Sequence, residues 1–351
     1  MADSIFGEVA PAHKFDEAKL AAYLAREIDD FGSNMLVEQI RGGASNPTFR
    51  LTTENSGGLK RYVLRKKPPG QLLASAHQVD REYRVMKALG QTDVPVPRMR
   101  HLCNDDSIIG TAFYVMDYLE GRIFRDATLP DLTPAERTAV YDELNATLAK
   151  LHKVDYLAVG LEGFGKPGGY FERQVSRWIK QYRGAESEHI PAMEELIETL
   201  PKLIPKDDSV AIAHGDYRLE NMMFHPTEPK LIAVLDWELC TIGHPLADIA
   251  YNGFLWHSTN PGWGSLVGVD FAATGIPTEA AYREAYCRRT GRDGIPHWYF
   301  YVAFGAFRLA SIGQGVYRRV LAGVAPSDRP AINGTPQLAE QALGILRMDK
   351  D

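Results

Sequence analysis

Three polar side chains in the second half of the chain have the types and the spacing that phosphoryl transfer requires. Asp216 follows His214 and Gly215 after a short apolar run, Asn221 comes five residues later, and Asp236 ends the apolar run LIAVLD. An apolar strand that ends in an acid delivers a carboxylate to the edge of a cleft, and a nearby Asp and Asn in one tight loop can face the same cavity. In transfer from ATP, one carboxylate accepts the proton of the attacking hydroxyl, while an amide oxygen and a second carboxylate hold Mg²⁺ on the phosphates. The pattern therefore predicts Asp216 as the base and Asn221 and Asp236 as metal ligands.

These segments also carry a family resemblance. HGDYRLEN followed by LDWE resembles the catalytic and metal-binding loops of the aminoglycoside phosphotransferase-like kinases, which are relatives of the protein kinases. Within that superfamily, the segments RYVLRKKPPGQLL, SAHQVDREYRV and HGDYRLENMMFHP are similar to the kinase-like domain at the N-terminus of some acyl-CoA dehydrogenases. The resemblance covers residues from about 35 to 345. It implies an α+β, protein-kinase-like fold of two lobes, one small and antiparallel β and one larger and helical, with ATP as co-substrate and Mg²⁺ as cofactor.

A glycine-containing loop is the candidate phosphate clamp. Gly42-Gly43-Ala44-Ser45-Asn46 lies between two predicted strands, where backbone N–H groups and the Ser45 hydroxyl could cover phosphates as a kinase glycine-rich loop does. The loop is not GxGxxG, and an ordinary hairpin turn would use the same residue types. We favour function because the chain also carries the predicted catalytic hairpin, and we therefore expect nucleotide binding by Gly43, Ser45 and Asn46.

The resemblance also implies a basic residue on the third strand, paired with a Glu on the following helix. The strand reads YVLRKK, so Arg65 stands where kinases usually have Lys, and Glu82 in DREYRV is its expected partner. A guanidinium can still bind phosphate oxygens, and with two hydrogen bonds. Strand alternation turns Lys66 away from Arg65, toward solvent, while Lys67 begins the next loop.

The segment from Tyr114 to Leu119 resembles the kinase hinge, whose backbone meets adenine. Met116 and Tyr118 are therefore candidate nucleotide contacts. A plain core position explains Met116 equally well.

Four residues near the predicted base and metal ligands need interpretation. Arg218, two residues after Asp216, stands where protein kinases carry a Lys that neutralises the transferring phosphoryl group; the alternative is a cation that anchors the loop to a carboxylate. We expect His214 to fix the loop by hydrogen bonding. Asp248, in GHPLADIAY, resembles the family's Asp that braces the catalytic loop from a helix start. Glu238 is either an acid that supports Asp236 or a solvated one.

The first 118 residues predict a small antiparallel sheet around one helix. An amphipathic helix from Phe15 to Ile28, with Asp16 as N-cap, precedes the β-rich runs LVEQIR, TFRLTT and RYVLRK. A helix in SAHQVDREYRVMKAL and a last strand in TAFYVMDYLEG follow. We divide the chain into a nucleotide-binding lobe, residues 1–118, and a catalytic and acceptor-binding lobe, residues 119–351.

The second lobe is predicted to be mostly helical. Thr133-Pro134-Ala135-Glu136 is a capping box with Pro at the first helical position, and it opens a helix that runs to about His152. Further helices are expected at 170–183, 190–200, 246–256, 278–290, 298–320 and 336–347. The segment AIAHGDYRLENMMFHPTEPKLIAVLDWE interrupts them and is predicted to form a polar hairpin with two short apolar strands.

Composition places the chain among ordinary globular proteins. It has 351 residues, 39 Lys and Arg against 45 Asp and Glu for a net charge of −6, and 45% hydrophobic residues. Its three cysteines, Cys103, Cys240 and Cys287, are widely spaced, which indicates a reducing compartment and no zinc site. The start has no leader pattern, and no run approaches the roughly 18 apolar residues of a membrane span, so we expect a cytoplasmic protein without membrane contact.

The charge is unevenly distributed. Residues 38–100 carry 12 basic against 5 acidic side chains, an excess of +7 that suits either an anion-binding lobe or a solvated basic face. Nucleic acid is not an expected partner, because no aromatic side chains are interleaved with the basic ones.

The small-molecule acceptor stays open at this point. The acyl-CoA-dehydrogenase likeness implies a hydroxyacyl-CoA or a related hydroxylated acyl compound, the broader family name implies an aminoglycoside, and choline-like or homoserine-like alcohols also fit. The loop between Trp256 and Trp263 could line the acceptor pocket or be a plain surface loop. The rival class is a non-catalytic, pseudokinase-like nucleotide or acyl-CoA binder. A hydrolase is not supported, since the sequence has neither GxSxG nor HExxH.

Overall fold

The computed structural model describes residues 5–41, 46–68, 78–260, 263–323 and 332–348. The chain divides into two compact units. Unit 1 comprises Met1–Arg122, Leu157–Leu161 and Ile232–Cys240, and unit 2 comprises Ile123–Tyr156, Glu162–Leu231 and Thr241–Asp351. Asp236 therefore lies in unit 1, while Asp216 and Asn221 lie in unit 2.

Unit 1 is built on an antiparallel sheet. Its strands are β1 (Phe6–Gly7), β2 (Ser33–Ile40), β3 (Thr48–Asn55), β4 (Gly58–Lys66), β5 (Met99–Cys103) and β6 (Phe113–Asp117). They lie in the order β1-β2-β3-β4-β6-β5. A tight turn joins β3 to β4, and Gly58 after it has a φ of 102°, a left-handed value that favours glycine. The small antiparallel sheet predicted from the sequence is confirmed.

Two helices pack on this sheet. In α1 (Glu17–Glu27), the Asp16 side chain accepts a hydrogen bond from the Lys19 backbone N–H at 2.9 Å, which confirms the predicted N-cap. In α2 (Val79–Leu89), the buried face recurs at helical spacing and includes one acid, Glu82, which is 1% exposed. A carboxylate is thereby carried into the interior beside β4.

Unit 2 contains most of the helices. They are α3 (Pro134–Lys153), α4 (Tyr170–Ala185), α5 (Pro191–Thr199), α6 (Pro245–Gly253), α7 (Phe271–Thr274), α8 (Glu279–Thr290), α9 (Trp298–Leu321) and α10 (Thr335–Arg347). The capping box at the start of α3 is complete, because the Thr133 hydroxyl accepts from the Glu136 N–H and the Glu136 carboxylate accepts from the Thr133 N–H. Every long helix expected in this region is present, and the short α7 was not predicted. Among the described residues, no helix is both long and apolar enough to cross a membrane.

Short strands complete the chain: β7 (Arg122–Ile123), β8 (Ala211–Ala213), β9 (Met222–Phe224), β10 (Leu231–Val234) and β11 (Thr241–Gly243). The segment predicted as a polar hairpin contains β8, β9 and β10, and β8 pairs antiparallel with β11, with Ala213 opposite Thr241. All three residues of β8 are buried. A strand this short takes its partner from tertiary packing, which its own sequence does not encode.

Two strands of the sheet, β1 and β5, were not predicted. β5 lies at the sheet edge, and four of its five residues are only half-buried. Its sequence, MRHLC, consequently lacks the alternation that marks a strand with one buried face.

Candidate active site

The Asp216 carboxylate is held by two donors within unit 2. The chain turns at Gly215, whose φ of 85° favours glycine, and brings Asp216 to the loop after β8. Asn221 ends a short 3₁₀ helix, and its Nδ2 donates to the Asp216 Oδ2 at 2.8 Å and to the Asp216 backbone carbonyl at 2.9 Å. The Tyr251 hydroxyl donates to Oδ1 at 2.8 Å. Each carboxylate oxygen keeps a lone pair that can accept a further hydrogen bond from a substrate hydroxyl.

Asp248 braces the backbone of that loop. Its carboxylate, 1% exposed, accepts hydrogen bonds from the His214 N–H at 2.6 Å and the Gly215 N–H at 2.8 Å. His152 lies against the same carboxylate, with its Nε2 3.3 Å away. Burial by itself raises the pKa of Asp248, but the hydrogen bonds and charge of its partners, His152 foremost, hold that pKa below its ordinary value. Asp248 is therefore an interior anion that fixes the loop, in the position that the resemblance implies.

His214 is fully buried and bonds within the same loop. Its Nδ1 accepts from the Asp216 N–H at 3.2 Å. The His214 ring therefore contacts the backbone of the loop that carries Asp216.

Arg218 is engaged by its neighbours in unit 2. It forms an ion pair with Glu220, and its guanidinium carbon lies 4.8 Å from the centre of the Trp263 ring. Both interpretations of Arg218 remain predictions.

Arg65 is the centre of an ionic cluster within unit 1. Its Nε lies 3.4 Å from the Glu82 Oε2, and one of its terminal nitrogens lies 3.1 Å from the Asp236 Oδ1 and 3.7 Å from the Glu238 Oε2. The predicted pairing of Arg65 with Glu82 is thus present. Burial alone would lower the pKa of Arg65, but Tyr114 and the carboxylates of Glu82 and Asp236 raise it above its ordinary value. A planar guanidinium can meet carboxylates from different sides at once, which a compact ammonium cannot do in the same way.

Glu82 is surrounded by donors. Apart from its ion pair with Arg65, Glu82 accepts hydrogen bonds from the Asn46 Nδ2 at 2.7 Å and the Tyr114 hydroxyl at 2.9 Å. Burial raises the pKa of Glu82 to about 7, although Arg65 and Tyr114 act in the opposite direction. Asn46, a candidate nucleotide contact, therefore directs its amide at Glu82 in this structure.

Asp236 has a strained backbone. It follows β10 and precedes a 3₁₀ turn (Trp237–Leu239), with φ 61° and ψ 63°, in the left-handed region that non-glycine residues rarely adopt. Trp237, 1% exposed, anchors the turn through a hydrogen bond from its Nε1 to the Val234 carbonyl at 2.9 Å. Such strain persists only where the surroundings impose it, and it concentrates at functional sites.

The other predicted nucleotide contacts are placed as follows. Gly43 and Ser45 lie outside the described residues. Met116 is half-buried on β6, opposite Val63, and the half-buried Tyr118 donates its N–H to the Arg61 carbonyl at 3.2 Å.

Lys66 corrects an expectation. Alternation does turn it away from Arg65, but it is only 4% exposed and not in solvent. The segment before α1 covers this face of β4, and the Lys66 Nζ lies 5.8 Å from the Phe15 ring centre. Burial lowers the pKa of Lys66 in consequence.

The two tryptophans that bracket residues 257–262 behave differently. The half-buried Trp256 donates to the Pro277 carbonyl at 3.1 Å and packs 5.1 Å from the Tyr282 ring. Trp263 instead lines a small pocket with Arg218 and Tyr251.

Sequence reasoning missed Tyr251, Asn252 and His152. A signal for the first two was available: Asp248, Tyr251 and Asn252 are spaced i, i+3, i+4 on a predicted helix, so they share one face. His152 carried no such signal, because it contacts Asp248 across 96 residues of sequence.

Comparison with known proteins gives consistent results. The model of the phosphotransferase enzyme family matches residues 36–293. Human acyl-CoA dehydrogenase family member 11 is 47% identical over 98% of this chain, a match that covers 45% of the human protein. The chain thus spans less than half the length of this curated relative.

Solved structures extend the comparison. A Ralstonia eutropha protein, named as a candidate aminoglycoside phosphotransferase, is 47% identical with a TM-score of 0.87, over 95% of this chain and 99% of its own. An aminoglycoside phosphotransferase in complex with AMP-PNP and hygromycin B shares the fold, with a TM-score of 0.59 at 15% identity over 94% of this chain and 98% of its own. The predicted kinase-like α+β fold is confirmed.

Proposed function

Because the chain belongs to the phosphotransferase enzyme family, we propose that it transfers the γ-phosphoryl group of ATP to a hydroxyl of a small molecule. The acceptor oxygen forms a bond to the γ-phosphorus while the bond from that phosphorus to the β,γ-bridging oxygen breaks. The hydroxyl proton passes to the Asp216 carboxylate, and the products are a phosphate monoester and ADP.

The observation that carries this proposal is the orientation of Asp216. Asn221 and Tyr251 each donate to a different carboxylate oxygen at 2.8 Å, and Asp248 holds the loop backbone behind them. A base fixed in this way can accept the proton of an attacking hydroxyl with little reorganisation. Such positioning is a main source of catalysis in phosphoryl transfer. Arg218 is the neighbouring cation, and a role in neutralising the transferring group remains part of the proposal.

Unit 1 supplies the proposed nucleotide contacts. Arg65, kept in place by Glu82, would bind phosphate oxygens, and the Asn46 loop with Gly43 and Ser45 would cover them. Met116 and Tyr118 would contact the base of the nucleotide.

Asn221 and Asp236 are the residues that would hold Mg²⁺. Both hydrogens of the Asn221 amide nitrogen are donated to Asp216, which leaves the amide oxygen as a ligand, and Asp236 offers a carboxylate on a strained turn. Such hard oxygen donors suit Mg²⁺. When bound, this ion neutralises phosphate charge.

For the acceptor, we favour a hydroxyacyl-CoA-type compound. The support is that a relative named for acyl-CoA dehydrogenation contains a segment 47% identical to this chain. An aminoglycoside or another small alcohol is the alternative, supported by the structures named as aminoglycoside phosphotransferases.

Mg·ATP binding and phosphoryl transfer test the proposal separately. Mg·ATP at about 100 times its Kd should raise the Tm by about 3–5 °C through mass action. Asp236→Asn should abolish this shift. Asp216→Asn should keep it but lower kcat by about 10²-fold to 10⁴-fold in an ADP-release assay, because the base is lost.

Exposed acids provide matched controls. Asp106→Asn in unit 1 and Asp293→Asn in unit 2 remove carboxylates at exposed positions and should change neither readout. Full activity of Asp216→Asn would refute the assigned base, and a complete lack of Mg·ATP binding would indicate a non-catalytic protein.

A further inference from the structure

A small pocket within unit 2 adjoins the proposed base. Its polar lining consists of Arg125, Arg218, Glu220, Tyr251, Asn252 and Trp263, and three apolar side chains complete the wall. Tyr251, which belongs to this wall, is also the residue whose hydroxyl donates to Asp216. The pocket therefore shares a residue with the environment of the base.

Asn252 is the unusual member of the lining. It is 1% exposed, and neither its Nδ2 nor its Oδ1 has a hydrogen-bond partner among the described residues. Leaving a buried amide unpaired is costly, and native proteins rarely do so without a reason. A side chain of the same size without polar atoms would satisfy the packing better, so the amide itself needs an explanation.

Two further donor groups of residues that line the pocket are also buried without a hydrogen-bond partner among the described residues. They are the Trp263 Nε1 and the Arg218 Nε. Together with the Asn252 Nδ2, they make three unpaired donor groups against one unpaired acceptor, the Asn252 Oδ1. The pocket is consequently poor in groups that could receive hydrogens from a ligand.

The charged side chains of the pocket also favour a ligand that accepts hydrogen bonds. Two arginines, Arg125 and Arg218, face the pocket with one carboxylate, Glu220, and that carboxylate already forms an ion pair with Arg218. An amine-bearing ligand would find no free acid there and a single unpaired acceptor, the Asn252 Oδ1. A carbonyl or carboxylate oxygen would find donors.

Helix α6 aligns the pocket with the base. Asp248 braces the loop, Tyr251 donates to Asp216, and Asn252 enters the pocket wall, at spacings i, i+3 and i+4 that fall on one helix face. A rigid helix therefore fixes the position of the unpaired amide relative to the base.

We propose that Asn252 is a specificity-determining residue that binds a carbonyl or carboxylate oxygen of the acceptor, with the Trp263 and Arg218 N–H groups as further donors. The acceptor class is then an alcohol that also carries such an oxygen, and alcohols whose other polar groups are amines are disfavoured. This inference rests on the proposed function, because it takes the acceptor hydroxyl to lie at Asp216.

The test compares Asn252→Leu and Asn252→Asp with the wild-type chain. The probes are 2-, 3- and 4-hydroxybutyrate and their coenzyme A thioesters, against choline and kanamycin. Binding is measured by calorimetry without ATP, and transfer by ADP release with Mg·ATP. For a carbonyl-bearing alcohol, Asn252→Leu should raise Kd and KM about tenfold and leave kcat less affected, and Asn252→Asp, which replaces a donor by a negative acceptor, should raise them further.

Thermal stability separates this role from a structural one. Asn145 provides the matched control, since it is equally buried but donates to the Tyr282 carbonyl at 2.8 Å and accepts from Arg289 at 2.8 Å. Asn145→Leu should lower the Tm, whereas Asn252→Leu should keep or raise it, because no hydrogen bond is lost.

Each alternative outcome is decisive. The inference is overturned if Asn252→Leu leaves KM and Kd unchanged, if it lowers the Tm as Asn145→Leu does, or if none of the hydroxybutyrate probes binds the wild-type chain. Transfer to choline or kanamycin alone would retain the proposed function and overturn the inference. Asn252-dependent binding of a hydroxybutyrate probe without transfer to any alcohol would retain the binding role of Asn252 and overturn the proposed function.

Discussion

Arg65 faces three carboxylates within unit 1, and it is the residue where the chain departs from the usual lysine. The Arg65 side chain is 15% exposed and its nearest acid, Asp236, is 171 residues away in sequence. The pairing with Glu82 was implied by the resemblance to kinases, which pair a basic residue of the third strand with a Glu of the following helix. The contact with Asp236 could not be predicted, because no local pattern connects positions so far apart.

The first prediction concerns the removal of this cation. Arg65→Met leaves the buried Glu82 without its ionic partner, so we expect the free energy of unfolding to fall by about 3–5 kcal/mol. Arg65→Lys keeps a charge but not the fork that spans Glu82 and Asp236, so we expect a smaller loss of about 1–2 kcal/mol, and a higher Kd for Mg·ATP. Urea denaturation and calorimetry measure the two quantities. Equal stability of the Lys and Met variants would contradict the role given to the ion pair.

The second prediction is a pH dependence that originates at Glu82. Its pKa is about 7 in the folded chain against an ordinary 4.5, so the folded state binds more protons than the unfolded state between these values. The contribution of this group to stability is therefore fully present below pH 4.5 and is lost as the pH rises through about 7, a change of about 3 kcal/mol.

Glu82→Gln cannot titrate and should lack this component. The measurement is the free energy of unfolding at pH 5 and pH 8 for both proteins, with Glu120→Gln, an exposed acid of unit 1, as the control. Parallel pH profiles for the wild type and Glu82→Gln would show that burial does not govern this carboxyl group.

At the scale of elements, α6 organises the environment of the base in unit 2. Its first turns place Asp248 beneath the loop and Tyr251 against the Asp216 carboxylate. Sequence periodicity predicted this helix and the resemblance implied the brace. Helical spacing places Tyr251 on the same face as Asp248, but only the structure shows its hydrogen bond to Asp216, because an aromatic residue on a buried helix face is most often core.

The third prediction separates two roles of α6: Tyr251 orients the Asp216 carboxylate, and Asp248 braces the loop. Tyr251→Phe removes one of the two donors to Asp216 and preserves packing, so we expect kcat to fall about tenfold, since a hydrogen bond to a charged group contributes about 1.5–3 kcal/mol. Asp248→Asn offers one acceptor oxygen where two backbone N–H groups bond now, so it should also lower stability by about 1–3 kcal/mol. Steady-state kinetics and urea denaturation distinguish these effects. A Tyr251→Phe variant with unaltered kcat would exclude the hydroxyl from the orientation of the base.

Predictability also differed between kinds of element. The long helices of unit 2 begin at caps that the sequence shows, such as Thr133 and Pro134, and repeat their buried positions at helical spacing. β8 and β11 have three residues each, too few for a period, and their pairing depends on contacts between distant parts of the chain.

At the scale of the whole molecule, the ion pairs of unit 1 change how the basic excess of residues 38–100 is understood. The excess of +7 in residues 38–100 suggested an anion-binding surface or a solvated face. The structure shows that many of these cations are already paired within unit 1. Among the described residues, cations with carboxylate partners include Arg50 with Glu38, Lys60 with Asp30, Arg61 with Glu120, Arg65 with Glu82, Asp236 and Glu238, and Arg100 with Asp30 and Asp117. Composition could not reveal this pairing, since several of the acids lie outside the counted range.

The last prediction follows from this neutralisation. Charges paired at short distance produce little field beyond a Debye length, so long-range attraction contributes little to nucleotide binding. The Kd for Mg·ATP should therefore rise less than about threefold between 50 and 300 mM NaCl, as measured by calorimetry at constant free Mg²⁺. Arg61→Gln, which disrupts an exposed pair, should leave the Kd unchanged at both salt concentrations, whereas Arg65→Lys should raise it at both. A tenfold or larger salt effect would mean that the cations of residues 38–100 attract the nucleotide collectively, and that the basic excess acts as a surface rather than through Arg65.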